Sequence, residues 1–449
     1  MHSIKIKNLK FKILHDESGQ SLIEIIVGLA IGAMLIGAAS FAISQTLQSN
    51  ISIQKAGSAV NMSQELLSKA RAYGLANWQN LYGLTKASST QYYINASGTT
   101  YLVIQGKEGL LDNDVTNGLV GEWKLDEYEG TTSTITYDSI GSSNGTLANT
   151  PIRATSTCKI GNCLSFDGVN DYVNVSDNSV LDFSTSPFSV SFWLYVNNSL
   201  ASNTEYGLVN KNVTYQGSAG WGLEISTWSV AAGKFNVANY ITTQTTWGNT
   251  NVYKNSLDVN TWYHVVGIRN STTTYIYVNG TLGSSKSHAD GAGNVDNAQP
   301  IVIGDNSWGP NFPGYIDDVR VYNRALSADE VGQIYKSATF TRYFYVENTC
   351  RTNDASSSVS GVAPCGSITP ASSDDPSTQK ITSVTEWPTK ASTGQVSFSD
   401  YITRSRNVIF QQTDWSGGTS GGVVTSPQST FTSSTNLDSS GGSIRIQGL

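Results

Sequence analysis

The chain has 449 residues, of which only 14% are charged, and its formal net charge is −7. An acidic chain without a stripe of basic residues is poorly suited to bind the phosphate backbone of a nucleic acid. Nucleic acid is therefore excluded as the expected partner. The low charge, with 42 Gly, 22 Tyr and 10 Trp residues, argues against a mostly helical protein and against disorder, and favours short strands joined by turns.

The N-terminal segment departs from this composition. Four lysines lie within residues 5–12, and an apolar run follows over residues 22–43, interrupted by Glu24 and the weakly polar Ser40. The run is long enough to span a bilayer as a helix. The lysines place its N-terminal flank in the cytoplasm, so we expect the chain after Ser44 to lie outside the cytoplasm.

Three interpretations compete for this segment. It is a plain membrane anchor, a secretory signal peptide cleaved near Ala42, or an export and assembly signal of a third kind. Residues 19–24, GQSLIE, resemble the leader of type IV prepilins and pseudopilins. The resemblance implies that residues 1–19 are a leader, that a prepilin peptidase cleaves after Gly19, and that Gln20 becomes the new N-terminus. The family usually has Phe where this chain has Gln20.

The resemblance also gives Glu24 a role, as the fifth residue of the mature chain. A carboxylate near the start of a membrane helix is costly and needs a reason. In pilin-like proteins it neutralises the terminal amine, here of Gln20 or of a neighbouring subunit, and so sets the register of assembly. Helical spacing of small and apolar residues predicts that the helix spans residues 20–76 and ends at Gly74 or near Asn77.

Strand patterns flank a long central segment. Residues 77–118 contain a predicted hairpin, 91–95 with 99–104, turning at 96–98, and residues 339–415 contain further strands. These later strands are predicted at 340–347, 380–387, 396–398 and 401–404. The tail at 416–449 is rich in Gly, Ser and Thr, with short predicted strands at 422–425 and 442–446. The flanks resemble the head of pseudopilins, so we expect residues 119–338 to be an inserted domain.

Residues 119–338 carry a series of strand and turn motifs. They are GEWKLDE at 121–127, LSFDGVNDYV at 164–173, FSVSFWL at 188–194, WYHVVG at 262–267, YIYVNG at 275–280 and GYIDDVRVYNRALS at 314–327. The series resembles the LamG-like, concanavalin A-like jelly roll. The patterns alone predict a two-sheet antiparallel sandwich. The expected fold is therefore mainly β with one long N-terminal helix, and a pilin-like α+β head interrupted by a jelly roll.

The jelly-roll resemblance implies a structural Ca²⁺. Its side-chain ligands would be Asp138, Asn144 and Asp317, with Asp126 or Asp318 as neighbours. Such hard oxygen ligands suit Ca²⁺. The competing interpretation is that these residues occupy turns and a strand end.

Four tryptophans in Gly- and Asn-rich surroundings are candidates for stacking on a sugar ring: Trp221, Trp228, Trp247 and Trp308. The competing interpretation is that they fill the core, as expected for Trp193 and Trp262 in alternating strands. No close triplet of acidic residues of the jelly-roll glycosidase type is present, and His264 is expected to be a packed residue. The protein is therefore not expected to be an enzyme.

The cysteines fit an exported chain. Cys158 and Cys163 are close in sequence, as are Cys350 and Cys365. Four cysteines allow three pairings, and the local pairing is preferred because it keeps each bridge within one predicted domain. A metal site is the alternative, but no flanking Cys or His completes a set of four ligands.

Together these features predict a minor pilin-like or pseudopilin-like subunit, anchored in the inner membrane and displayed at the cell surface or in an extracellular filament. Its expected partners are other subunits, the prepilin peptidase, the membrane, and a glycan or surface protein bound by the jelly roll. The alternatives are a membrane-anchored adhesin that does not polymerise and a secreted carbohydrate-active enzyme.

Overall fold

The structure is a computed structural model. It describes residues 22–97, 100–128, 133–197, 200–211, 219–242, 251–287, 293–305, 309–351, 359, 361–362, 364–365, 373–389 and 392–404. The chain divides into two compact units, residues 1–54 and 55–449. The predicted leader and the strands predicted in the tail lie outside the described residues.

The first helix, α1, spans Leu22–Ala76, which confirms one long N-terminal helix. Its large apolar side chains from Ile25 to Ile53 are exposed, and Met34 reaches 74%. By length and composition α1 is a candidate membrane span, and a signal sequence near an N-terminus meets the same criterion. Farther along, Leu66 and Ala70 are fully buried, four residues apart on one helix face.

Two shorter helices follow, each begun by a capping side chain. Helix α2 spans Trp78–Tyr82, and the Asn77 side chain accepts a hydrogen bond from the backbone N–H of Gln79. Helix α3 spans Ala328–Lys336 and begins with a capping box between Ser327 and Glu330. Such caps satisfy backbone N–H groups that have no partner inside a helix.

Most of the remaining described residues form strands. In chain order these are β1 Tyr92–Ser97, β2 Thr100–Gln105, β3 Glu108–Leu111, β4 Leu119–Trp123, β5 Ile135–Thr136, β6 Gly145–Ala148, β7 Ile152–Ala154, β8 Cys163–Asp167, β9 Tyr172–Val175, β10 Phe188–Val196, β11 Glu205–Lys211, β12 Gly220–Ser226, β13 Lys234–Thr242, β14 Val252–Asp258, β15 Trp262–Arg269, β16 Thr273–Val278, β17 Thr281–Ser287, β18 Ile301–Ile303, β19 Pro313–Tyr322, β20 Thr339–Arg351, β21 Gly361–Val362, β22 Ser373–Pro388 and β23 Thr393–Thr403.

One antiparallel sheet, the head sheet, has the order β2-β1-β20-β22-β23, with β3 and β21 also paired to β20. The predicted hairpin is confirmed as β1 and β2. The two short strands predicted at 396–398 and 401–404 are one strand, β23. Its backbone stays paired through Ser399 and Asp400, opposite Thr382 and Ile381, so the polar residues do not break the strand.

The chain leaves the head sheet and returns to it at adjacent positions. Leu111, at the end of β3, pairs with Thr339, at the start of β20. Between these two residues the chain forms two other sheets, and the start of β4 and the end of β19 are again neighbours, with Leu119 opposite Tyr322. Such close ends allow one compact unit to lie within the sequence of another.

The two other sheets form a jelly-roll sandwich. The first sheet has the order β17-β16-β15-β10-β19-β8-β7, with β4 also on β19, and the second has the order β14-β13-β12-β11-β18-β9-β6-β5. Inward-pointing residues of both sheets fill one core, including Phe192 of β10 and Leu223 of β12. Alternation along each strand sends the intervening residues to the outer faces.

The outer face of the first sheet is covered by α3. Val331 and Ile334 of the helix pack over Trp193, Val266 and Ile268 of the sheet. This second cluster makes Trp193 a buried residue, as the strand pattern predicts. The first sheet therefore carries apolar side chains on both faces.

A network of charged side chains, centred on the buried Glu108 and Arg342, joins α1, the head sheet and the sandwich. Glu108 of β3 accepts from Arg342 Nε of β20 at 2.6 Å and from Lys124 Nζ, just after β4, at 2.7 Å. Arg342 also reaches Glu65 of α1 at 3.1 Å. Burial raises the pKa of Glu108, but Arg342 and Lys124 outweigh burial and lower it to about 2. The carboxylate is therefore held ionised between two cations.

We predict that Arg342→Ala lowers the free energy of unfolding of the full chain by about 3–5 kcal/mol, because it leaves Glu108 buried with one cation fewer. Denaturant unfolding in detergent micelles, followed by circular dichroism, measures the loss. The matched control is Arg71→Ala, which removes the more exposed pair with Asp400 and should cost about 0–1 kcal/mol. Equal losses for the two variants would contradict the importance of the buried network.

Candidate functional site

The structure describes two of the four tryptophans that were predicted to stack on a sugar ring. Trp221 lies on β12 and is 1% exposed, with its ring 5.5 Å from that of Phe188 in the sandwich core, so the expectation of an exposed indole is wrong for it. The glycine-rich surroundings are a strand, not a loop. Trp228 is 54% exposed after the end of β12. Trp247 and Trp308 lie outside the described residues.

Polar side chains lie on the outer face of the second sheet because successive residues of each strand point alternately inward and outward. Trp221, Leu223 and Ile225 of β12 point into the core. Glu224 therefore points outward, and so do the residues beside it in register, Gly207 of β11 and Ala238 of β13. The sheet thus carries a carboxyl group on its outer face between two very small neighbours.

A second carboxyl group lies close to this one. Glu205 begins β11, and its register partner is Ser226, two residues along from Glu224. Diagonal neighbours on one face of adjacent strands are within reach of long side chains. Burial, followed by the charge of Glu205, raises the pKa of Glu224 to about 8. Burial also raises the pKa of Glu205.

Two tyrosines complete this surface. Tyr240 of β13 lies over Gly222, where a Cβ atom would collide with its ring, and donates a hydrogen bond to Asn210 Oδ1 at 3.0 Å. Tyr253 of β14 pairs with Ala238 and is 38% exposed. We call Glu205, Asn210, Glu224, Tyr240 and Tyr253 the outer-face cluster.

The cluster combines carboxyl, amide, phenol and aromatic groups across four adjacent strands. Burial, followed by Glu224 and Glu205, raises the pKa values of Tyr240 and Tyr253, so both phenols stay neutral near pH 7. Tyr253 is 38% exposed, whereas Asn210, Glu224 and Tyr240 are 5% exposed or less, so the cluster is only partly accessible. No sequence pattern predicted the outer-face cluster. The signal that could have indicated it is Glu224, which lies between Leu223 and Ile225 in an otherwise apolar strand.

The residues predicted to bind Ca²⁺ are engaged with the protein's own backbone. Asp138 accepts hydrogen bonds from the N–H groups of Glu122 and Ile140 through Oδ1, and from that of Ser143 through Oδ2. The Asn144 side chain accepts from the N–H of Asp138 at 3.0 Å. The two predicted ligands thus shape one loop.

Asp317 and Asp126 hold a different loop, the one closed by the first disulfide. Asp317 Oδ2 accepts from the N–H groups of Lys159 and Ile160, and Asp126 Oδ1 accepts from the N–H of Asn162. Burial raises the pKa of Asp126 well above its usual range, and the Asp317 charge adds to the rise. Burial, followed by the charge of Asp318, also raises the pKa of Asp317 well above its usual range.

Asp318 instead pairs with Arg320, at 3.1 Å. Among the described residues, no group of three or more His, Cys, Asp or Glu side chains is placed to hold a metal ion. Calcium stays a prediction from the family resemblance.

Both local disulfides are present, Cys158–Cys163 and Cys350–Cys365, as the preferred pairing predicts. The first closes the loop held by Asp126 and Asp317. The second links β20 to Cys365 beyond β21.

His264 is a packed residue. Its Nε2 lies 2.8 Å from Ser191 Oγ, and its ring contacts Trp193 and Tyr335. Burial, then Arg320 and Lys159, lowers its pKa to about 3. Enclosed in this way, the Ser191–His264 pair has no access to a substrate.

Gly19 and Gln20, which were predicted to flank a cleavage position, lie outside the described residues. Glu24 lies in the first turn of α1 and is exposed.

Comparisons with known proteins concern the sandwich. Residues 167–332 match the family model Laminin_G_3, described as the concanavalin A-like lectin/glucanases superfamily. The chain is 28% identical over 179 residues to Paraclostridial mosquitocidal protein 1 of Paraclostridium bifermentans, a match that covers 37% of this chain and 14% of that protein. The sandwich is a LamG-like, concanavalin A-like domain.

The solved structures that match this chain include the binding domain of that mosquitocidal protein, at 18% identity and a TM-score of 0.36, covering 61% of this chain and 72% of the other. Domain 4 of the arabinanase AbnA from Geobacillus stearothermophilus, solved with arabinotriose, has 18% identity and a TM-score of 0.36, covering 49% of this chain and 98% of the other. Trypanosoma rangeli sialidase has 16% identity and a TM-score of 0.36, covering 49% and 33%.

With both Asp138 oxygens and Asp317 Oδ2 occupied by backbone N–H groups, we expect neither added Ca²⁺ nor a chelator to change the melting temperature of the full chain. Differential scanning calorimetry in detergent micelles measures it. Asp138→Ala should lower the melting temperature equally with and without Ca²⁺, because it removes hydrogen bonds only. A rise on adding Ca²⁺ that Asp138→Ala abolishes would instead support the calcium prediction.

Proposed function

We propose that the protein is a type IV pilin-like subunit that displays a glycan-binding LamG-like sandwich outside the cytoplasm. The observation that carries the proposal is the division of α1. Its first part is an exposed apolar helix with Glu24 in its first turn, and its later part, including Leu66 and Ala70, is buried against a sheet. A helix with these two parts serves both assembly in a membrane and support of a globular head.

The sequence of residues 19–24 supports the same proposal, because it supplies a cleavage position and a carboxylate at the fifth mature position. An isolated carboxylate in a membrane helix needs a partner, and the terminal amine of Gln20 or of another subunit provides one. Prepilin peptidase and other pilin-like subunits are the partners that follow. The anchored helix places the head and the sandwich outside the cytoplasm.

The glycan-binding part of the proposal is supported by the LamG-like domain and by the outer-face cluster. In that cluster the exposed ring of Tyr253 is a surface on which a sugar ring can stack. Trp228 follows Ser226, the register partner of Glu205, so an exposed indole lies near one end of the cluster. The sandwich acts here as a binding module and not as an enzyme.

We predict that the mature protein begins at Gln20 and that Glu24→Ala blocks assembly while leaving membrane insertion intact, because the apolar helix is unchanged. Edman sequencing of the purified protein tests the first part, and filament shearing with membrane fractionation tests the second. Gln48→Ala, an exposed change in the same helix, is the control. A mature chain that keeps Met1 and an unaffected assembly of Glu24→Ala would leave a membrane-anchored adhesin.

We predict that the full chain in detergent micelles binds saccharides on a glycan array and that Trp228→Ala weakens this binding about tenfold, equivalent to about 1.4 kcal/mol, through loss of ring stacking. Tyr101→Ala, which removes an exposed aromatic ring from the head sheet, should leave binding unchanged. Absence of all saccharide binding would refute the glycan part of the proposal.

A further inference from the structure

The Lys211 ammonium group lies inside the sandwich. Lys211 ends β11 and is 1% exposed. Val209, two residues earlier, points into the core, so alternation along the strand turns Lys211 inward as well. Its register partner on β12 is the buried Trp221. Because lysine is almost never fully buried unless it is paired, its partners indicate what this place in the fold is built to hold.

Four oxygen atoms surround the ammonium nitrogen. Nζ donates hydrogen bonds to Asp177 Oδ1 and to the backbone carbonyl oxygens of Asn297 and Gln299, the last two at 3.0 and 2.8 Å. Asp182 Oδ1 is buried, lies 3.3 Å from Nζ as an ion-pair partner, and accepts no hydrogen bond from any described residue. We call these four oxygen atoms the Lys211 cage. Two carboxylate and two carbonyl oxygens around one positive charge are the kind of ligand set that proteins use for Ca²⁺.

The Lys211 cage gathers two loops that are distant in sequence. Its carboxylates flank the short 3₁₀ helix Ser179–Leu181, which follows β9, and its carbonyl groups precede β18. The Asn297 side chain also donates to the backbone carbonyl oxygens of Lys211 and Ala219, at 2.9 and 2.7 Å. The ammonium therefore holds both loops against β11, as a structural metal ion does.

The Lys211 cage carries one more negative charge than its resident cation balances. The two aspartates contribute two negative charges, and among the described residues Lys211 is the cation that pairs with them. Arg269, which holds neighbouring parts of the same loops, donates instead to the carbonyl oxygens of Ser184 and Gly293. A divalent cation would match the charge of the cage. The side chain of Asp177, which is 35% exposed, gives an ion a route from solvent.

We propose that the Lys211 cage is a cation site whose resident ion is the lysine ammonium, and that its oxygens bind Ca²⁺ when the lysine side chain is removed. The site is separate from the one that the family resemblance assigned to Asp138 and Asp317, and the inference does not depend on glycan binding. Because the positive charge is part of the chain, the two loops stay attached to β11 whatever the Ca²⁺ concentration around the protein.

Lys211→Ala tests the proposal, because it leaves the cage without its charge. Differential scanning calorimetry of the full chain in detergent micelles should show a fall in melting temperature of about 10 °C, as expected when one member of a buried ion pair is lost. Addition of about 10 mM CaCl₂, roughly ten times the dissociation constant of a weak extracellular site, should then raise the melting temperature by about 3 °C or more. The wild type should not respond, because its ammonium occupies the cage.

Two further variants separate the cage from general effects of charge. Lys234→Ala removes an exposed lysine that pairs with Asp258 on the same sheet, so neither the fall in melting temperature nor the Ca²⁺ response should appear. In the double variant Lys211→Ala with Asp177→Ala, the Ca²⁺ response should disappear, because one of the two carboxylates is missing.

The difference between Lys211→Ala and the wild type decides the outcome. A Ca²⁺-induced rise in the variant no larger than that of the wild type would overturn the inference, and so would a rise that survives the loss of Asp177. If Lys211→Ala does not fold without added metal, its recovery from denaturant is measured with and without CaCl₂. Folding only with Ca²⁺ supports the cation site, and failure to fold in both conditions overturns it.

Discussion

The single carboxylate of Glu108 ties three parts of the molecule together. It lies on β3 of the head sheet and contacts Arg342 of β20 and Lys124 at the entrance of the sandwich. A buried charge of this kind is stable only while its partners stay in place, because the cost of desolvation must be offset by close ion pairs. The position of the sandwich on the head is thus constrained by electrostatics as well as by the two short chain crossings near Leu111 and Thr339.

The elements packed around the sandwich determine which of its outer faces is covered. The outer face of the first sheet lies under α3, and its side holds the disulfide loop clamped by Asp126 and Asp317. The acidic residues that the family resemblance associates with calcium are used here to fix loops. The outer face of the second sheet carries polar residues, of which Tyr253 is 38% exposed.

Much of the architecture was encoded locally. The apolar run after Glu24 determined the long helix, alternation determined most strands, and the spacing of Cys158, Cys163, Cys350 and Cys365 favoured the two bridges found. These features depend on neighbours in sequence. The burial of Trp221 could not be predicted with the same certainty, because its glycine neighbours read as a loop while the pairing of β12 with β11 and β13 makes them a strand.

The candidate site was decided only by tertiary structure. Glu205, Glu224, Tyr240 and Tyr253 lie on four strands separated in sequence, and nothing local marks them as a group. The same holds for Asp138 and Asp317, which the family resemblance assigned to one ion and whose carboxylates accept hydrogen bonds from the backbone of two different loops. The sequence by itself determined which segments become helix, strand and export signal, because these depend on local periodicity. Which side chains share one surface depended on sheet order and register, which arise from contacts between distant segments.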